Sequence, residues 1–299
     1  MSSLELLKSI YKPYRYTINK NVTIVDSSSG KFVVKKQNKD LFTLFNYLSS
    51  RGFDHYPKIV KNYRNEENVF EFIEEDEIPG NQKLEDLAEV LSSLHNRTVY
   101  YKSVSIDNYK EIFDNIDNNI KYLSNYYESL FLNILKEEFV SPSKYLFARN
   151  YSKIKQALLF CEEELNAWYK LVENNDKQRV SVVHNNLSLE HFLANSDKSI
   201  LISWDNYKID TPIIDIVNLY QNEYLNYDFS SFLEKYLYSF NLLEDEKKLL
   251  FILISLPLYF EIEGDSELIN TQIVKKNINY VFMTEKLIRP YYAENQIKE

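Results

Sequence analysis

The chain has 299 residues, of which 44% are hydrophobic and 26% are charged, a composition typical of one large globular domain or two smaller ones. Its formal net charge of -9 argues against a nucleic-acid-binding protein, which would carry a basic face. No run of about 18 apolar residues is present and no signal-peptide pattern is found at the N-terminus, so we expect a cytoplasmic protein without a membrane span. Cys161 is the only cysteine, which excludes an internal disulfide and a cysteine-based zinc site.

The N-terminal part of the chain combines strand and helix signals. β-Branched and aromatic residues on both sides of a serine-rich turn predict strands over residues 14–36. Apolar residues at helical spacing predict a helix over 39–50, ended by Gly52. Two further short strands are predicted at 58–60 and 68–73.

After a hinge-like stretch at 74–82, the pattern is helical almost to the end of the chain. Apolar periodicity predicts helices over 107–138, 150–174, 228–241, 244–263 and 270–287. Two strand-like segments, 180–183 and 200–204, interrupt this pattern and flank a loop. They indicate one short hairpin in the middle of the helical part.

This order of elements predicts an α+β fold with two lobes. The small β-rich N-terminal lobe would comprise residues 1–75, and the large helical C-terminal lobe, with the hairpin, residues 76–299. A hinge between two such parts is typical of protein-kinase-like folds. Because element order does not determine function, the function must be argued from the site.

The loop between the two central strands carries the most informative motif. Residues 182–193 read V-V-H-N-N-L-S-L-E-H-F-L, and residues 201–205 read L-I-S-W-D. They resemble the catalytic loop H-G-D-L-H-x-x-N-x-L and the metal-binding I-D-W-E/D of the aminoglycoside and choline phosphotransferases. Pro212 with residues 215–217 is similar to that family's G-x-P-x-x-D-L-A, and residues 87–95 are similar to its L-A-x-x-L-x-x-L-H helix.

The resemblance implies an ATP- and Mg²⁺-dependent phosphotransferase, but the residues that would carry the chemistry differ. Asn186 occupies the position of the family's loop Asp, and an amide cannot act as a base. His191 occupies the position of the loop Asn, and an imidazole is a poor ligand for Mg²⁺. Ser203 occupies the position of the metal-binding Asp and lacks its charge. His184 matches the first residue of the catalytic-loop motif, and Asp205 matches the last residue of the metal-binding motif.

The phosphate-binding lysine of the family corresponds to Lys35, or alternatively to Lys36, at the end of the third predicted strand. The family's acidic partner on the next helix is missing, and Asp40 is the available substitute. We therefore name His184, Asn186 and His191 as candidate catalytic residues. The candidate cofactor-binding residues are Lys35, Ser203 and Asp205, and no metal ligand is assigned. We expect these residues to cluster, with Lys35 facing the others.

Each of these residues also has a structural interpretation. His184 would brace the loop by bonding to backbone. His191 would be either a packing residue or a transition-metal ligand together with Asp205. Asp205 and Asp215 would either hydrogen-bond the loop or contact a cation.

Two functions remain open. H-N-N-L-S-L-E-H-F-L followed by I-S-W-D is also similar to the CotS-type spore-coat kinase-like group, which implies a bacterial protein associated with the spore coat. The altered motifs favour a pseudokinase-type scaffold that binds a protein partner. The alternative is an active ATP-dependent phosphotransferase with an unorthodox metal site and a small hydroxyl-bearing substrate. Surviving acidic oxygen ligands at the site would favour the second function.

Overall fold

The computed structural model describes residues 13–19, 22–36, 39–62, 67–195, 197–262 and 266–293. The strands are β1 (Pro13–Asn19), β2 (Val22–Ser27), β3 (Gly30–Lys36), β4 (Ile59–Asn62), β5 (Glu67–Glu71), β6 (Tyr100–Ser103), β7 (Lys177–Val183), β8 (Phe192–Leu193), β9 (Ile200–Leu201) and β10 (Lys208–Asp210). The helices are α1 (Leu41–Ser50), α2 (Gly80–Thr98), α3 (Ile106–Ile134), α4 (Pro142–Val172), α5 (Ile213–Glu223), α6 (Phe229–Ser239), α7 (Glu244–Ser255) and α8 (Glu267–Ala293). Single 3-10 turns lie at Leu189–His191 and Trp204–Asn206. None of the helices in the described ranges is long and apolar enough to span a bilayer.

The N-terminal strands form an antiparallel sheet with the order β1-β2-β3-β5-β4. Alternate residues of β2, β3 and β5 point to one face, as the pleat of a strand requires. There Val25, Phe32, Val34 and Val69 form a buried cluster. The strands predicted over residues 14–36 are confirmed.

Helix α1 begins and ends as the sequence indicates. Asp40 is the N-cap, and its carboxylate accepts a hydrogen bond from the backbone N–H of Thr43 at 3.1 Å. Gly52 follows the helix in a left-handed conformation, with φ of 76°. Its N–H donates to the carbonyl of Ser49, and the N–H of Phe53 donates to the carbonyl of Leu48. The predicted glycine stop is confirmed, since this hydrogen-bond pattern needs a residue that tolerates positive φ.

The predicted central hairpin is wrong. Segment 200–204 contains a strand only at Ile200–Leu201, and this strand pairs with β8. The carboxyl-terminal half of β7 pairs instead with β10, and its amino-terminal half pairs with β6. The strand in this segment is shorter than predicted because Ser203 has a left-handed backbone, with φ of 65°, and a 3-10 turn follows it.

The helix predicted over 244–263 ends at Ser255. Pro257 explains the difference, because a proline disfavours helical geometry in the residue before it. That residue, Leu256, is extended, with ψ of 119°.

The chain divides into two compact units. Unit 1 contains Met1–Val99, Ser181–Asn218 and Phe232–Phe240, and unit 2 contains Tyr100–Val180, Leu219–Ser231 and Asn241–Glu299. Within unit 2, α4 packs against α3, α7 and α8. A β-rich N-terminal region followed by a mainly helical remainder confirms the α+β class, while the boundary between residues 75 and 76 stays a prediction.

Candidate functional site

The loop that follows β7 is anchored by Asp215, near the start of α5. This carboxylate is fully buried. It accepts hydrogen bonds from the backbone N–H groups of His184 at 2.8 Å and Asn185 at 2.7 Å. Nε2 of His95 lies 3.3 Å from the same carboxylate. Hydrogen bonds to a buried carboxylate are strong, so Asp215 fixes the backbone at the start of the loop.

Asn185 replaces the glycine of the family's motif and has a left-handed backbone, with φ of 55°. Asparagine is one of the few residues other than glycine that adopt this conformation readily. Its side-chain amide donates to the carbonyl of Asn206 at 3.1 Å. The loop therefore keeps the turn that a glycine would allow, and it is hydrogen-bonded to the segment after β9.

His184 has the geometry of a structural residue. Its Nε2 lies 2.8 Å from the carbonyl oxygen of Ile202, and its ring packs edge-on against Trp204 at 4.8 Å between centroids. Because a carbonyl accepts only, Nε2 carries the proton in this hydrogen bond. Burial lowers the pKa of His184 and outweighs the opposing effect of Asp215. Its Nδ1 is buried and has no partner among the residues that the structure describes.

His191 lies next to this histidine, with 6.2 Å between the ring centroids. Its Nδ1 is 2.7 Å from the carbonyl oxygen of Asn186, so the ring closes the loop on itself. The backbone N–H of Ile202 also donates to the carbonyl of His191 at 2.8 Å. In the described part of the chain, no group of three or more His, Cys, Asp or Glu side chains is arranged to hold a metal ion.

Lys35 on β3 forms an ion pair with Asp205, which lies in the 3-10 turn after β9. The two side chains are 23% and 16% exposed, so water screens the pair only in part. Asp40 has the different task of capping α1, where hydrogen bonds from Thr43 lower its pKa. Asp205 is therefore the acidic partner of Lys35, a role that motif spacing alone does not assign.

Lys35, Ser203 and Asp205 line one pocket of unit 1, with a volume of about 360 Å³. Its walls are mostly apolar and come from β2, β3, β5 and the residues around β8 and β9. The apolar lining residues include Val22, Ile24, Val33, Phe70, Phe72, Ile73, Leu193, Ile202 and Trp204. The three loop residues His184, Asn186 and His191 do not line it. Strand alternation could have indicated the apolar wall, but only the fold shows which strands face Ser203.

The fold itself is shared with known enzymes. An aminoglycoside phosphotransferase from Alicyclobacillus acidocaldarius superposes with a TM-score of 0.66, covering 93% of this chain and 92% of that chain at 11% identity. The chain has the aminoglycoside phosphotransferase fold. A spectinomycin phosphotransferase in complex with AMP gives a TM-score of 0.50 at 13% identity, covering 96% of this chain and 92% of that one. No protein-family model matches the sequence, and no curated protein matches it.

At these identities the likeness to aminoglycoside phosphotransferases establishes the fold alone, so the kinase-like fold predicted from the motifs is confirmed. Within this fold, the pocket of unit 1 suits an adenine nucleotide, since it has apolar walls for a base and one lysine for a phosphate. Mg²⁺ requires several oxygen ligands in octahedral geometry. At the two motif positions in this pocket, Ser203 is neutral and the carboxylate of Asp205 is paired with Lys35. Two further carboxylates line the pocket, Glu71 and Glu75, and that of Glu75 is paired with Lys83. The motif positions therefore do not supply the free carboxylates that Mg²⁺ needs.

Proposed function

We propose that this chain is a pseudokinase, a protein with a phosphotransferase fold that binds ligands without transferring phosphate. The observation that carries the proposal is the ion pair between Lys35 and Asp205 beside the neutral Ser203. Phosphoryl transfer depends on metal ions and positioned charges that neutralise the phosphates. Here Lys35 and Asp205 neutralise each other, and Asn186 takes the place of the second carboxylate.

We further propose that the pocket of unit 1 binds an adenine nucleotide without a metal ion. Supporting this, Phe72 and Ile73 offer an apolar wall of the kind that accepts a purine base. Lys35 would exchange Asp205 for a phosphate oxygen, which keeps its charge compensated. The AMP complex of a spectinomycin phosphotransferase with a similar fold is consistent with this assignment.

The biological role under this proposal is that of a scaffold for a protein partner. Its support is the likeness of the loop H-N-N-L-S-L-E-H-F-L to the CotS-type spore-coat kinase-like group. We therefore place the protein in a bacterial cytoplasm or spore coat. The competing role, an active small-molecule phosphotransferase, is favoured by one feature, the survival of Lys35 in a well-formed pocket.

A thermal-shift titration with AMP, ADP and ATP, each with and without Mg²⁺ or Mn²⁺, tests the proposal. Ligand at about 100 times its dissociation constant stabilises a protein by about 2.7 kcal/mol, which is readily detected. We expect the nucleotides to raise the melting temperature equally with and without metal. Lys35→Gln should remove the effect. Lys36→Gln is the matched control, because Lys36 is the exposed neighbour on the same strand.

Two results would contradict the proposal. Stabilisation that requires Mg²⁺ would show that the site retains a metal and would favour an active enzyme. If no nucleotide raises the melting temperature, with or without metal, the proposed nucleotide binding is wrong. Only the scaffold role would then remain.

A further inference from the structure

A second cavity lies within unit 2, between α4, α8 and the carboxyl-terminal end of α7. Its volume is about 250 Å³. Ala157 and Phe160 from α4 and Val281 and Ile288 from α8 contribute apolar surface to it. An enclosed apolar cavity of about 150 Å³ can bind benzene. This cavity is larger and partly open to solvent at Gln156 and Arg289, so it has room for one six-membered aromatic ring with short substituents.

One polar group in this cavity has no explanation in the packing of the protein. Ser255, the last residue of α7, lines the cavity and is only 5% exposed. Its hydroxyl makes no hydrogen bond within the ranges that the structure describes. Thr284 also lines the cavity, and its Oγ1 lies 2.8 Å from the hydroxyl of Tyr220. A buried hydroxyl without a partner is destabilising. The hydroxyl oxygen of Ser255 is closed to water in this conformation, and a rotation about χ1 would turn it toward a polar group of a ligand in the cavity.

The second polar feature of the cavity is a cluster of three charged residues in its lining. Two of them are cations and one is an anion, so the cluster has a net positive charge. Glu285 accepts hydrogen bonds from Lys153 at 3.1 Å and from Arg289 at 2.8 Å. Burial disfavours ionisation of Glu285, but the hydrogen bonds from these two cations outweigh it and lower its pKa. One carboxylate thus faces two cations, and an incoming anion would balance the remaining positive charge.

We propose that this cavity binds a small aromatic carboxylate whose ring carries a hydroxyl group. The carboxylate would lie at Arg289 and Lys153, the ring between α4 and α8, and the hydroxyl against Ser255. The volume selects a single ring, the charge excess selects an anion, and Ser255 selects the second polar group. This site is independent of the nucleotide pocket of unit 1 and of whether that pocket is active.

The test uses para-hydroxyphenylacetate as the probe. Its binding to the full chain is measured by ligand-observed NMR and by thermal shift. We expect a dissociation constant on the order of 0.1 mM, as for other compounds of this size. Phenylacetate lacks the ring hydroxyl and should bind about fivefold more weakly. Tyrosol, the neutral alcohol analogue, should bind about tenfold more weakly because it lacks the carboxylate.

Three variants locate the probe. Ala157→Phe should fill the cavity and abolish binding, with circular dichroism to show that the helices remain. Arg289→Gln should weaken binding about fivefold, whereas Lys286→Gln should not change it, because Lys286 is an exposed lysine of the same helix that does not line the cavity. Ser255→Ala should reduce the affinity for para-hydroxyphenylacetate to that for phenylacetate and leave phenylacetate binding unchanged.

Failure of para-hydroxyphenylacetate to bind the native chain at about 5 mM would overturn the proposal, because that is some fifty times the expected dissociation constant. If tyrosol binds as tightly as para-hydroxyphenylacetate, the positive charge of the cavity does not contribute to binding and the choice of an anion is wrong. If Arg289→Gln and Ala157→Phe both bind the probe as the native chain does, the compound binds elsewhere and the assignment is wrong.

Discussion

At the residue scale, the loop after β7 and the segment after β9 retain their shape although their charged groups have changed. Asn185 and Ser203 both adopt left-handed conformations, and hydrogen bonds to Asp215 and Ile202 secure the backbone around them. The geometry is therefore preserved by side chains that differ from those of the family's motif. Because the backbone shape is kept, the effect of the missing carboxylates can be tested by restoring them.

Restoring two carboxylates should create a dependence on Mg²⁺. In the double variant Asn186→Asp, Ser203→Asp, the new groups would supply charged oxygen ligands at the positions of the family's loop Asp and metal-binding Asp. Aspartate tolerates the left-handed region, so the φ of 65° at position 203 is compatible with the change. We expect ATP with Mg²⁺ to raise the melting temperature of the double variant more than ATP alone.

The matched control for this experiment is Asn206→Asp, which adds a negative charge at an exposed position next to Asp205. If the control gains the same dependence on Mg²⁺, the effect comes from net charge and not from the positions of the restored ligands. A double variant that stays insensitive to Mg²⁺ would mean that the positions do not match the family's metal site.

His184 makes the stability of the fold depend on pH. Its pKa is lowered by burial, so the folded protein keeps the ring neutral while the unfolded chain takes up a proton below about pH 6.5. Because the unfolded state then binds more protons, the free energy of unfolding falls as pH falls through this value. The loss approaches about 1.4 kcal/mol per pH unit for one group.

Urea denaturation at about pH 7.5 and about pH 5.5 measures this loss. In His184→Gln the side-chain amide can still donate to the carbonyl of Ile202, but it does not titrate. We expect the variant to lose less stability than the native chain between the two pH values. An identical loss in both proteins would assign the pH dependence to other groups.

At the element scale, the sequence predicts most strands and helices but not how the central strands pair. Turn residues and helical periodicity locate β2, β3 and α1, because these signals are local. The pairing of β7 with β6 and β10 joins residues that lie far apart in the chain, and no local pattern encodes it. The short β8 has too few residues to produce an alternation.

The end of α1 gives a prediction at this scale. An alanine at position 52 would have to adopt a φ of 76°, and its Cβ would meet the guanidinium of Arg97. Gly52→Ala should therefore lower the free energy of unfolding by about 1 kcal/mol or more, as measured by urea denaturation. Gly80→Ala is the control, because Gly80 begins α2 without a positive φ, and it should change stability by only a few tenths of that amount. Equal effects of the two substitutions would show that the left-handed stop is unimportant for stability.

At the scale of the whole molecule, motif order along the chain is enough to predict a kinase-like fold, which the structural likeness confirms. The sequence predicts the candidate site less completely. Motif spacing identifies Lys35, Ser203 and Asp205, which do line one pocket, but it does not indicate the ion pair between Lys35 and Asp205. Motif spacing indicates which positions of this chain correspond to the family's functional residues. Which charged side chains pair with each other depends on their positions in the folded chain, which the spacing does not predict.

Activity is the property of the whole molecule that this pairing most affects. We expect little or no Mg²⁺-dependent phosphoryl transfer by the native chain, measured as ADP release or phosphate transfer from ATP to aminoglycoside, choline and other hydroxyl-bearing acceptors. Loss of one charge-stabilising group at an active site commonly reduces turnover on the order of a hundredfold or more. The losses at Asn186 and Ser203 do not simply multiply, because groups that act as a unit are not additive. The decisive comparison is Asp205→Ala, which removes the remaining carboxylate. If the native chain turns over ATP robustly and Asp205→Ala abolishes this turnover, then Asp205 serves as a metal ligand in the working protein, its ion pair with Lys35 opens when substrate binds, and the chain is an enzyme.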